Sequence, residues 1–279
     1  MEKALESFIE SALREDAPEG DITSQACIPS DAACAAHLLV KEPCVVAGME
    51  VARRILQSVD PQADFSAKVK DGDECRAGDI AFQVRCGTRS LLRAERVLLN
   101  TMQRMSGIAT LSRQFASAVE GLPVRLLDTR KTTPLIRFLE KWAVRIGGCE
   151  NYRDSLSDWF MIKDNHVKAC GGVDLAIRQV VAYRRANGCN KGITVEVKNL
   201  AELRLVLSVG QVDRIMLDNF PVPLLTEAVA VVNGRFQTEA SGGVTLEKVR
   251  TIARTGVDFI SVGALTHSAQ SVDLSLKIF

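Results

Sequence analysis

The stretch ITVEVKNLAELRLVLSVGQVDRIMLDN, residues 193–219, contains two short apolar runs with a helical pattern between them. The runs Ile193–Val195 and Arg214–Leu217 have the length and composition of buried strands, and the apolar residues from Leu200 onward recur at helical spacing. Two buried strands joined through a helix run parallel in one sheet. The stretch therefore predicts one unit of a parallel α/β fold.

The same alternation continues on both sides of this stretch. Repeated strand–helix units of this length form a parallel sheet wrapped in helices, and the pattern favours closure of that sheet into a barrel. The C-terminal part of the chain is therefore predicted to be an α/β barrel. Its other apolar runs are Val124–Leu127, Phe160–Ile162, Phe236–Ala240 and Phe259–Val262, and its other helices begin near Pro134, Val173, Val222, Thr245 and Leu265.

The N-terminal part has a mixed pattern that predicts a layer of its own. An amphipathic helix that contains Leu5, Ile9 and Leu13 opens the chain. Short strands are predicted within residues 33–46 and 62–86, with a helix near Glu50–Val59 between them. A long helix follows from about Ser90 to Val119, with a possible break at Ser106-Gly107.

Composition excludes several classes of protein. The 279 residues carry a net charge of +1, so a general nucleic-acid-binding surface is not expected. No apolar run is long enough to span a bilayer. The N-terminus, MEKALE, is acidic and amphipathic, unlike a signal peptide. The eight cysteines include no C-x-x-C pair, which favours scattered reduced thiols and a cytoplasmic location.

Charged and small residues follow the apolar runs, at positions that form the catalytic rim of a parallel barrel. Arg130, Lys131 and Lys163 lie there, and Arg153 lies nearby in a glycine-rich loop. Isolated residues of this kind can be ordinary caps and turns, but the whole series favours a site. Cations that converge on one cavity require an anion, so the substrate should carry several carboxylates or phosphates.

Two glycine-containing loops indicate where a phosphate binds. Ser241-Gly242-Gly243 follows one strand and Gly263 follows the next, and glycine lets backbone N–H groups approach a phosphate closely. Glu196 and Asp218 end the middle strands. These carboxylates could hold Mg²⁺ or ribose hydroxyls, or could only balance the cations of the rim. His166 and His267 are candidates for proton transfer, phosphate contact or helix capping.

These residues belong to motifs that together resemble the quinolinate phosphoribosyltransferase family. No motif is decisive alone, but they follow the order of the family from near the N-terminus to near the C-terminus. The motifs are Glu15-Asp16 with Gly20–Ser24, Ala94–Val97, Gln103–Thr110, Asp128–Pro134 (DTRKTTP), Lys163–His166 (KDNH), Val195–Val197, Met216–Asn219 (MLDN), Ala240–Gly243 (ASGG) and Ser261–Ser268 (SVGALTHS).

The resemblance implies an enzyme that makes nicotinate mononucleotide from quinolinate and phosphoribosyl pyrophosphate with Mg²⁺, in NAD biosynthesis. It implies an N-terminal α/β sandwich, residues 1–112 joined by the tail 268–279, beside an open α/β barrel, residues 113–267. It further implies a homodimer with shared active sites, in which Arg104 comes from the partner subunit.

The resemblance also implies the roles of the site residues. Glu196 and Asp218 would hold the metal and the ribose hydroxyls, and Lys131 and Lys163 would be catalytic beside them. Ser241, Gly242, Gly243, Gly263 and His267 would hold phosphate. The quinolinate carboxylates and the 5-phosphate side would be bound by Arg130, Lys131, Tyr152, Arg153 and Lys163.

Three residues depart from the family pattern and leave the acceptor open. Tyr152 replaces a histidine, Leu135 replaces a glycine, and Lys198 replaces an acidic residue. A related phosphoribosyltransferase with another aromatic acid is therefore an alternative. From another class, a barrel aldolase could use Lys163 as a Schiff-base nucleophile. A protein that only binds a phosphorylated metabolite is disfavoured, because a passive anion site gains nothing from Glu196 and Asp218 without a metal.

Overall fold

The computed structural model describes residues 2–279, which form two compact units. The first unit contains residues 2–113, Thr132–Gly148 and Ser268–Phe279. The second, called the barrel unit below, contains Gln114–Lys131 and Cys149–His267. No helix within residues 2–279 has both the length and the apolar character needed to cross a membrane.

The helices and strands follow the predicted alternation closely. The helices are α1 Glu2–Asp16, α2 Ile22–Cys27, α3 Met49–Val59, α4 Thr88–Ala118, α5 Arg137–Ile146, α6 Asp164–Cys170, α7 Val173–Ala186, α8 Leu200–Val209, α9 Val222–Val232, α10 Leu246–Ala253 and α11 Ala264–His267. The strands are β1 Ala33–Val40, β2 Cys44–Val45, β3 Asp64–Ala67, β4 Glu74–Cys75, β5 Ile80–Gly87, β6 Arg125–Leu127, β7 Phe160–Ile162, β8 Ile193–Val197, β9 Arg214–Asp218, β10 Gln237–Ser241, β11 Phe259–Ser261 and β12 Leu274–Ile278.

The first unit is built on an antiparallel sheet with the strand order β12-β1-β5-β3, and β2 pairs separately with β4. The C-terminal strand β12 pairs with β1, so the tail of the chain completes the N-terminal sheet. The predicted break at Ser106-Gly107 is wrong, because α4 continues through it. The Ser106 hydroxyl donates a hydrogen bond to the Ala47 carbonyl. The Gln270 backbone lies so close to Gly107 that any side chain at this position would collide with it.

The barrel unit contains six parallel strands in the order β6-β11-β10-β9-β8-β7. This confirms the open α/β barrel, with β6 and β7 at its two edges. The segment after Cys149 extends the sheet beyond β6, since Leu127 and Glu150 form a parallel bridge. Glu196 lies opposite Met216, and Ser241 lies opposite Asp218, so Glu196, Asp218 and Ser241 lie at or near the carboxyl ends of three neighbouring strands.

One segment lies in a different unit from the one that its sequence position suggests. Residues Thr132–Gly148 fall within the predicted barrel range 113–267, but they pack with the first unit. Gly147 fits closely against the Ala109 carbonyl on α4, where a side chain would collide. Glu140 on α5 is buried and forms an ion pair with Arg104, also on α4. These contacts hold α5 against α4.

Candidate active site

The carboxyl ends of the barrel strands bring most of the predicted site residues to one rim. Side chains alternate along a strand, so every second residue of each strand faces the barrel interior. Asp128 follows β6, Lys163 follows β7, and Gly263 lies beyond β11. Asp218 and Ser241 end β9 and β10, and Glu196 lies one residue before the end of β8.

Lys163 and Glu196 form the central ion pair of this rim. The Lys163 Nζ lies 2.5 Å from Glu196 Oε2; the Glu196 side chain is 8% exposed and that of Lys163 is 42% exposed. Lys163 also caps α6, and its backbone N–H donates to His166 Nδ1 at 2.9 Å. Of the roles considered for His166, the structure therefore gives it the helix cap. Lys163 keeps an exposed face on which a substrate anion can bind.

The loop after β10 has the geometry of an anion-binding turn. Gly242 and Gly243 have φ values of 92° and 59°, in the left-handed region that favours glycine. A side chain at Gly242 would collide with Asn219, whose backbone N–H donates to the Ser241 carbonyl at 2.8 Å. Asn219 Nδ2 also donates to Asp218 Oδ2 at 2.8 Å. The ends of β9 and β10 are thereby fixed to each other.

Lys131 and His267 lie together beside Gly263. A Cβ atom on Gly263 would lie 3.1 Å from Lys131 Cδ and 3.1 Å from His267 Nε2. The Thr266 hydroxyl donates to the Lys131 carbonyl at 2.8 Å and so fixes the chain that carries this lysine. The absence of a side chain at Gly263 keeps space between two cation-forming side chains and the backbone. The arrangement suits a phosphate group.

Arg130 is close enough to Arg153 to disfavour the charge of Arg153. Burial, and then the positive charge of Arg130, lower the pKa of Arg153 from its usual value. Arg153 Nη1 donates to the Trp159 carbonyl at 3.3 Å. Two neighbouring guanidinium groups are stabilised when an anion lies between them, and a planar carboxylate suits their geometry.

Tyr152 points into the barrel interior beneath this rim. Its hydroxyl lies 2.6 Å from Thr194 Oγ1, which also accepts a hydrogen bond from Trp159 Nε1 at 2.8 Å. Burial, and then the negative charge of Glu239, raise the pKa of Tyr152 above its usual range. The backbone N–H of Tyr152 donates to Asp128 Oδ1 at 2.8 Å. The predicted contact between this hydroxyl and a substrate carboxylate remains a prediction, but the hydroxyl has an internal partner.

A buried ion pair lies near Tyr152 and was missed by the sequence analysis. Arg214 Nη1 lies 3.2 Å from Glu239 Oε2, and Ser261 Oγ donates to Glu239 Oε1 at 2.5 Å. The Arg214 guanidinium stacks on Phe259 at 3.7 Å and on Tyr152 at 4.8 Å from the ring centres. The available signal was a charged residue within each of two predicted buried strands. This cluster supports the rim from below.

Arg104 lies in the first unit, whereas the other predicted site residues lie in the barrel unit. It donates through Nε and Nη2 to Glu140 Oε1, and through Nη1 to the Ala269 carbonyl at 2.7 Å. Glu140 also accepts from the backbone N–H of Thr133 at 3.0 Å. Glu140 was missed because its helix looks like an ordinary amphipathic segment. Its role is to orient Arg104 and the end of the DTRKTTP motif.

Glu196 and Asp218 were considered as metal ligands. Within residues 2–279 there is no group of three or more histidine, cysteine, aspartate or glutamate side chains arranged for a metal ion. Asp218 lies two residues beyond the partner of Glu196 in the sheet register, so both carboxylates share one face. Mg²⁺ commonly binds to one or two protein carboxylates and completes its shell with water and substrate phosphates. Two carboxylates therefore fit this ion.

The fold and the rim define an α/β-barrel protein in which the carboxyl ends of the strands bring together cations, carboxylates and a glycine turn, an arrangement that suits a multiply charged, phosphate-bearing anion. The family model "Quinolinate phosphoribosyl transferase, N-terminal domain" matches residues 21–106, and the model of the C-terminal domain matches residues 108–277. The chain belongs to the quinolinate phosphoribosyltransferase family.

Individual relatives agree over nearly the whole chain. "Quinolinate phosphoribosyltransferase [decarboxylating] 1b" of Nicotiana tabacum is 47% identical over 98% of this chain and 82% of its own length. The chloroplastic nicotinate-nucleotide pyrophosphorylase [carboxylating] of Arabidopsis thaliana is 46% identical over 98% of this chain and 82% of its own. The crystal structure of nicotinate-nucleotide pyrophosphorylase from Ehrlichia chaffeensis is similar, with a TM-score of 0.92, 38% identity and coverage of 98% of both chains.

Proposed function

We propose that this chain is a decarboxylating quinolinate phosphoribosyltransferase, a pentosyltransferase of NAD biosynthesis. It joins quinolinate to phosphoribosyl pyrophosphate and releases nicotinate mononucleotide, pyrophosphate and CO₂. The observation that carries the proposal is the rim itself, where cations, a carboxylate pair and a glycine turn adjoin. These features suit the three parts of the reaction: a dicarboxylate, a ribose and a phosphate. A decarboxylating quinolinate phosphoribosyltransferase of Nicotiana tabacum matches the chain over 98% of its length.

In the proposed reaction the pyridine nitrogen attacks C1′ of the ribose, and the C1′–O bond breaks with its electron pair leaving on pyrophosphate. Little covalent work is needed from the protein, so positioning and electrostatic stabilisation dominate. Arg130, Arg153 and Lys163 bind the carboxylates and hold the ring nitrogen towards C1′. The C2–carboxylate bond then breaks and CO₂ leaves. Its electron pair stays on C2, stabilised by the adjacent positively charged ring nitrogen, until C2 takes a proton from solvent.

The phosphate and ribose ends are assigned to the other side of the rim. Gly242 and Gly243 present backbone N–H groups to the 5-phosphate, with Lys131 and His267 as charged or hydrogen-bonding neighbours. Glu196 and Asp218 bind the ribose hydroxyls. Because oxocarbenium character develops at C1′, these carboxylates also favour the transition state electrostatically.

Mg²⁺ is the proposed cofactor, with Glu196 and Asp218 as its protein ligands. When bound, it stabilises the negative charge of the pyrophosphate leaving group. Chelation with EDTA should abolish turnover, and added Mg²⁺ should restore it. Full turnover in EDTA, with contaminating metals excluded by elemental analysis, would contradict this part of the proposal.

The direct test is an assay with purified protein, quinolinate labelled in its 2-carboxylate, phosphoribosyl pyrophosphate and Mg²⁺. Nicotinate mononucleotide and labelled CO₂ should appear in equal amounts. Lys163→Met should remove most activity, whereas Lys168→Met, a matched loss of one exposed lysine, should retain it. A folded wild-type protein that releases neither product would contradict the function.

Two alternative activities can be separated in the same assay. Tyr152, Leu135 and Lys198 differ from the family pattern, so other pyridine and aromatic acids should be tested beside quinolinate. A Schiff-base aldolase is disfavoured by the ion pair between Lys163 and Glu196, which suits an electrostatic contact. If the protein were a Schiff-base aldolase, borohydride with a carbonyl substrate would trap a covalent adduct on Lys163.

We also propose a homodimer in which Arg104 of one copy completes the rim of the other. Arg104→Ala and Lys163→Ala should each be nearly inactive. After subunit exchange in an equal mixture, half of the dimers are mixed and each has one intact site, so about a quarter of wild-type activity should return. If exchange is demonstrated and activity stays at the level of the single variants, the shared-site arrangement is wrong.

A cytoplasmic location is the remaining proposal. It is supported by the cysteines, all eight of which are free thiols, as is common in a reducing compartment. Fractionation of the source cells with an antibody to the protein tests it. Recovery in an organelle fraction would contradict it.

A further inference from the structure

Two ion pairs of opposite order connect the end of β7 to the end of β8. Lys163 on the first strand end pairs with Glu196 on the second. One residue after Lys163, Asp164 Oδ2 lies 2.9 Å from the Nζ of Lys198, which is two residues after Glu196. The charges therefore alternate across the gap between the strand ends. Lys198 is one of the residues that depart from the family pattern, and the sequence assigned it no role.

The stem of Lys198 is fixed before its ammonium group reaches Asp164. Its backbone N–H donates to Glu202 Oε2 at 2.8 Å, and the Glu202 N–H donates to Asn199 Oδ1 at 2.9 Å. These two bonds, one to the cap residue Asn199 and one from the residue before it, fix the start of α8 and the direction in which residue 198 leaves β8. Asp164, at the start of α6, is oriented in turn by a bond from the Asn165 N–H at 2.8 Å. The Asp164–Lys198 pair thus joins two capped helix starts.

Asp164 directly follows Lys163 in the β7–α6 turn, so a restraint on Asp164 also restrains the chain that carries Lys163. Lys198 Nζ lies 2.9 Å from Asp164 Oδ2, within direct ion-pair distance. Lys168 also approaches Asp164, but at 3.7 Å and from a more exposed position. Lys198 is therefore the closer partner of this carboxylate.

We propose that Lys198 is a positioning residue, which through Asp164 holds the β7–α6 turn so that Lys163 faces Glu196 and the substrate. The role of Lys163 towards quinolinate rests on the proposed function, but the restraint on the turn does not. Lys198 itself touches no reacting atom in this proposal. Its contribution is to limit the orientations of a lysine that is 42% exposed and would otherwise be free to turn away.

The first test does not depend on activity. Hydrogen exchange of the amides in α6 should be on the order of threefold to fivefold faster in Lys198→Met than in wild type. This is the change in the opening equilibrium that loss of one exposed ion pair can cause. Lys198→Arg should restore slow exchange, because it keeps the charge and the reach. Lys168→Met is the matched control and should exchange like wild type. Equal exchange in all four proteins overturns the proposal.

The second test uses kinetics. Lys198→Met should raise the KM for quinolinate by about fivefold, with kcat within about twofold and with a smaller change for phosphoribosyl pyrophosphate. Adding Asp164→Asn to Lys198→Met should cause little further loss, since residues that act through each other are not additive. Additive losses, or a fall in kcat without the KM change, overturn it. A wild-type protein without turnover would contradict the proposed function instead, and the exchange test would still decide the role of Lys198.

Discussion

Removal of the Tyr152 hydroxyl should mainly affect stability. In Tyr152→Phe, Thr194 Oγ1 loses a partner at 2.6 Å, and the buried carboxylate of Glu239 loses a hydrogen bond from the same hydroxyl. Thr194 and Glu239 are both fully buried, so neither can bind bulk water instead. Both groups keep other partners, Trp159 for Thr194 and Arg214 with Ser261 for Glu239, so each lost hydrogen bond should cost about 1 kcal/mol. The free energy of unfolding should therefore fall by about 2 kcal/mol.

The assay is urea unfolding monitored by circular dichroism, followed by steady-state kinetics with quinolinate. The chain has only two tyrosines, and the other one supplies the control. Tyr183 is 60% exposed and packs edge-on against Phe160, with 6.1 Å between the ring centres. Tyr183→Phe should change the free energy of unfolding by less than about 0.5 kcal/mol, as surface substitutions usually do.

The two possible roles of Tyr152 predict opposite patterns. If the hydroxyl anchors the loop to the barrel interior, Tyr152→Phe loses stability while the KM for quinolinate rises by less than about threefold, since Arg153 is also held by the Trp159 carbonyl. If it binds a substrate carboxylate, stability stays near that of Tyr183→Phe and the KM rises more than about tenfold, the worth of a charge-assisted hydrogen bond. The second pattern would refute the structural reasoning.

Three further predictions concern charge and backbone strain. Nicotinic acid, with one carboxylate fewer than quinolinate, should bind poorly because a cation of the rim stays unpaired, and equal turnover of the two acids in the product assay would contradict this. Lys163→Arg keeps the charge but changes the shape, so activity should be impaired without complete loss; full activity would mean that the geometry of the Lys163–Glu196 pair is unimportant. Leu135 is 96% exposed with φ of 68°, so Leu135→Gly should raise the free energy of unfolding by up to about 1 kcal/mol. The exposed Leu156, which has no positive φ, is the control: Leu156→Gly should be neutral or destabilising, and a loss of stability in Leu135→Gly would refute the strain.

The strands of the barrel were predictable because each is a short apolar run between helical patterns. Burial on both sides of a parallel sheet requires such runs, and β7 was predicted at its observed bounds, Phe160–Ile162. Helix α6, Asp164–Cys170, was missed because it has one turn of polar residues and is started by a cap rather than by apolar spacing. Strand β12 was known only through the family resemblance. Its partner β1 is more than two hundred residues away in sequence, which no local pattern indicates.

The sequence could predict which residues lie at the site, but not which of their side chains contact each other. Polar residues after buried strands must gather at one rim, so the positions of Lys163, Glu196 and Asp218 followed from topology. Which side chains contact each other depends on the sheet register and on side-chain direction. The sequence could not show that Lys163 faces Glu196, or that Asp164 has Lys198 as its partner. It also gave no reason to expect Tyr152 to turn inward towards Thr194.

The balance of charge at the rim connects the proposed cofactor with the proposed dimer. Arg214 and Glu239 neutralise each other in the interior, so they add no net charge beneath the substrate. The rim has little surplus of positive charge, yet its two substrates bring a dicarboxylate together with a phosphate and a pyrophosphate. Anions brought together in a partly dry site need nearly matching positive charge. We infer that Mg²⁺ and Arg104 of a second copy supply part of the difference, so loss of either should weaken phosphoribosyl pyrophosphate and quinolinate binding together. The rim cations are Arg130, Lys131, Arg153 and Lys163, and its carboxylates are Asp128, Glu196 and Asp218.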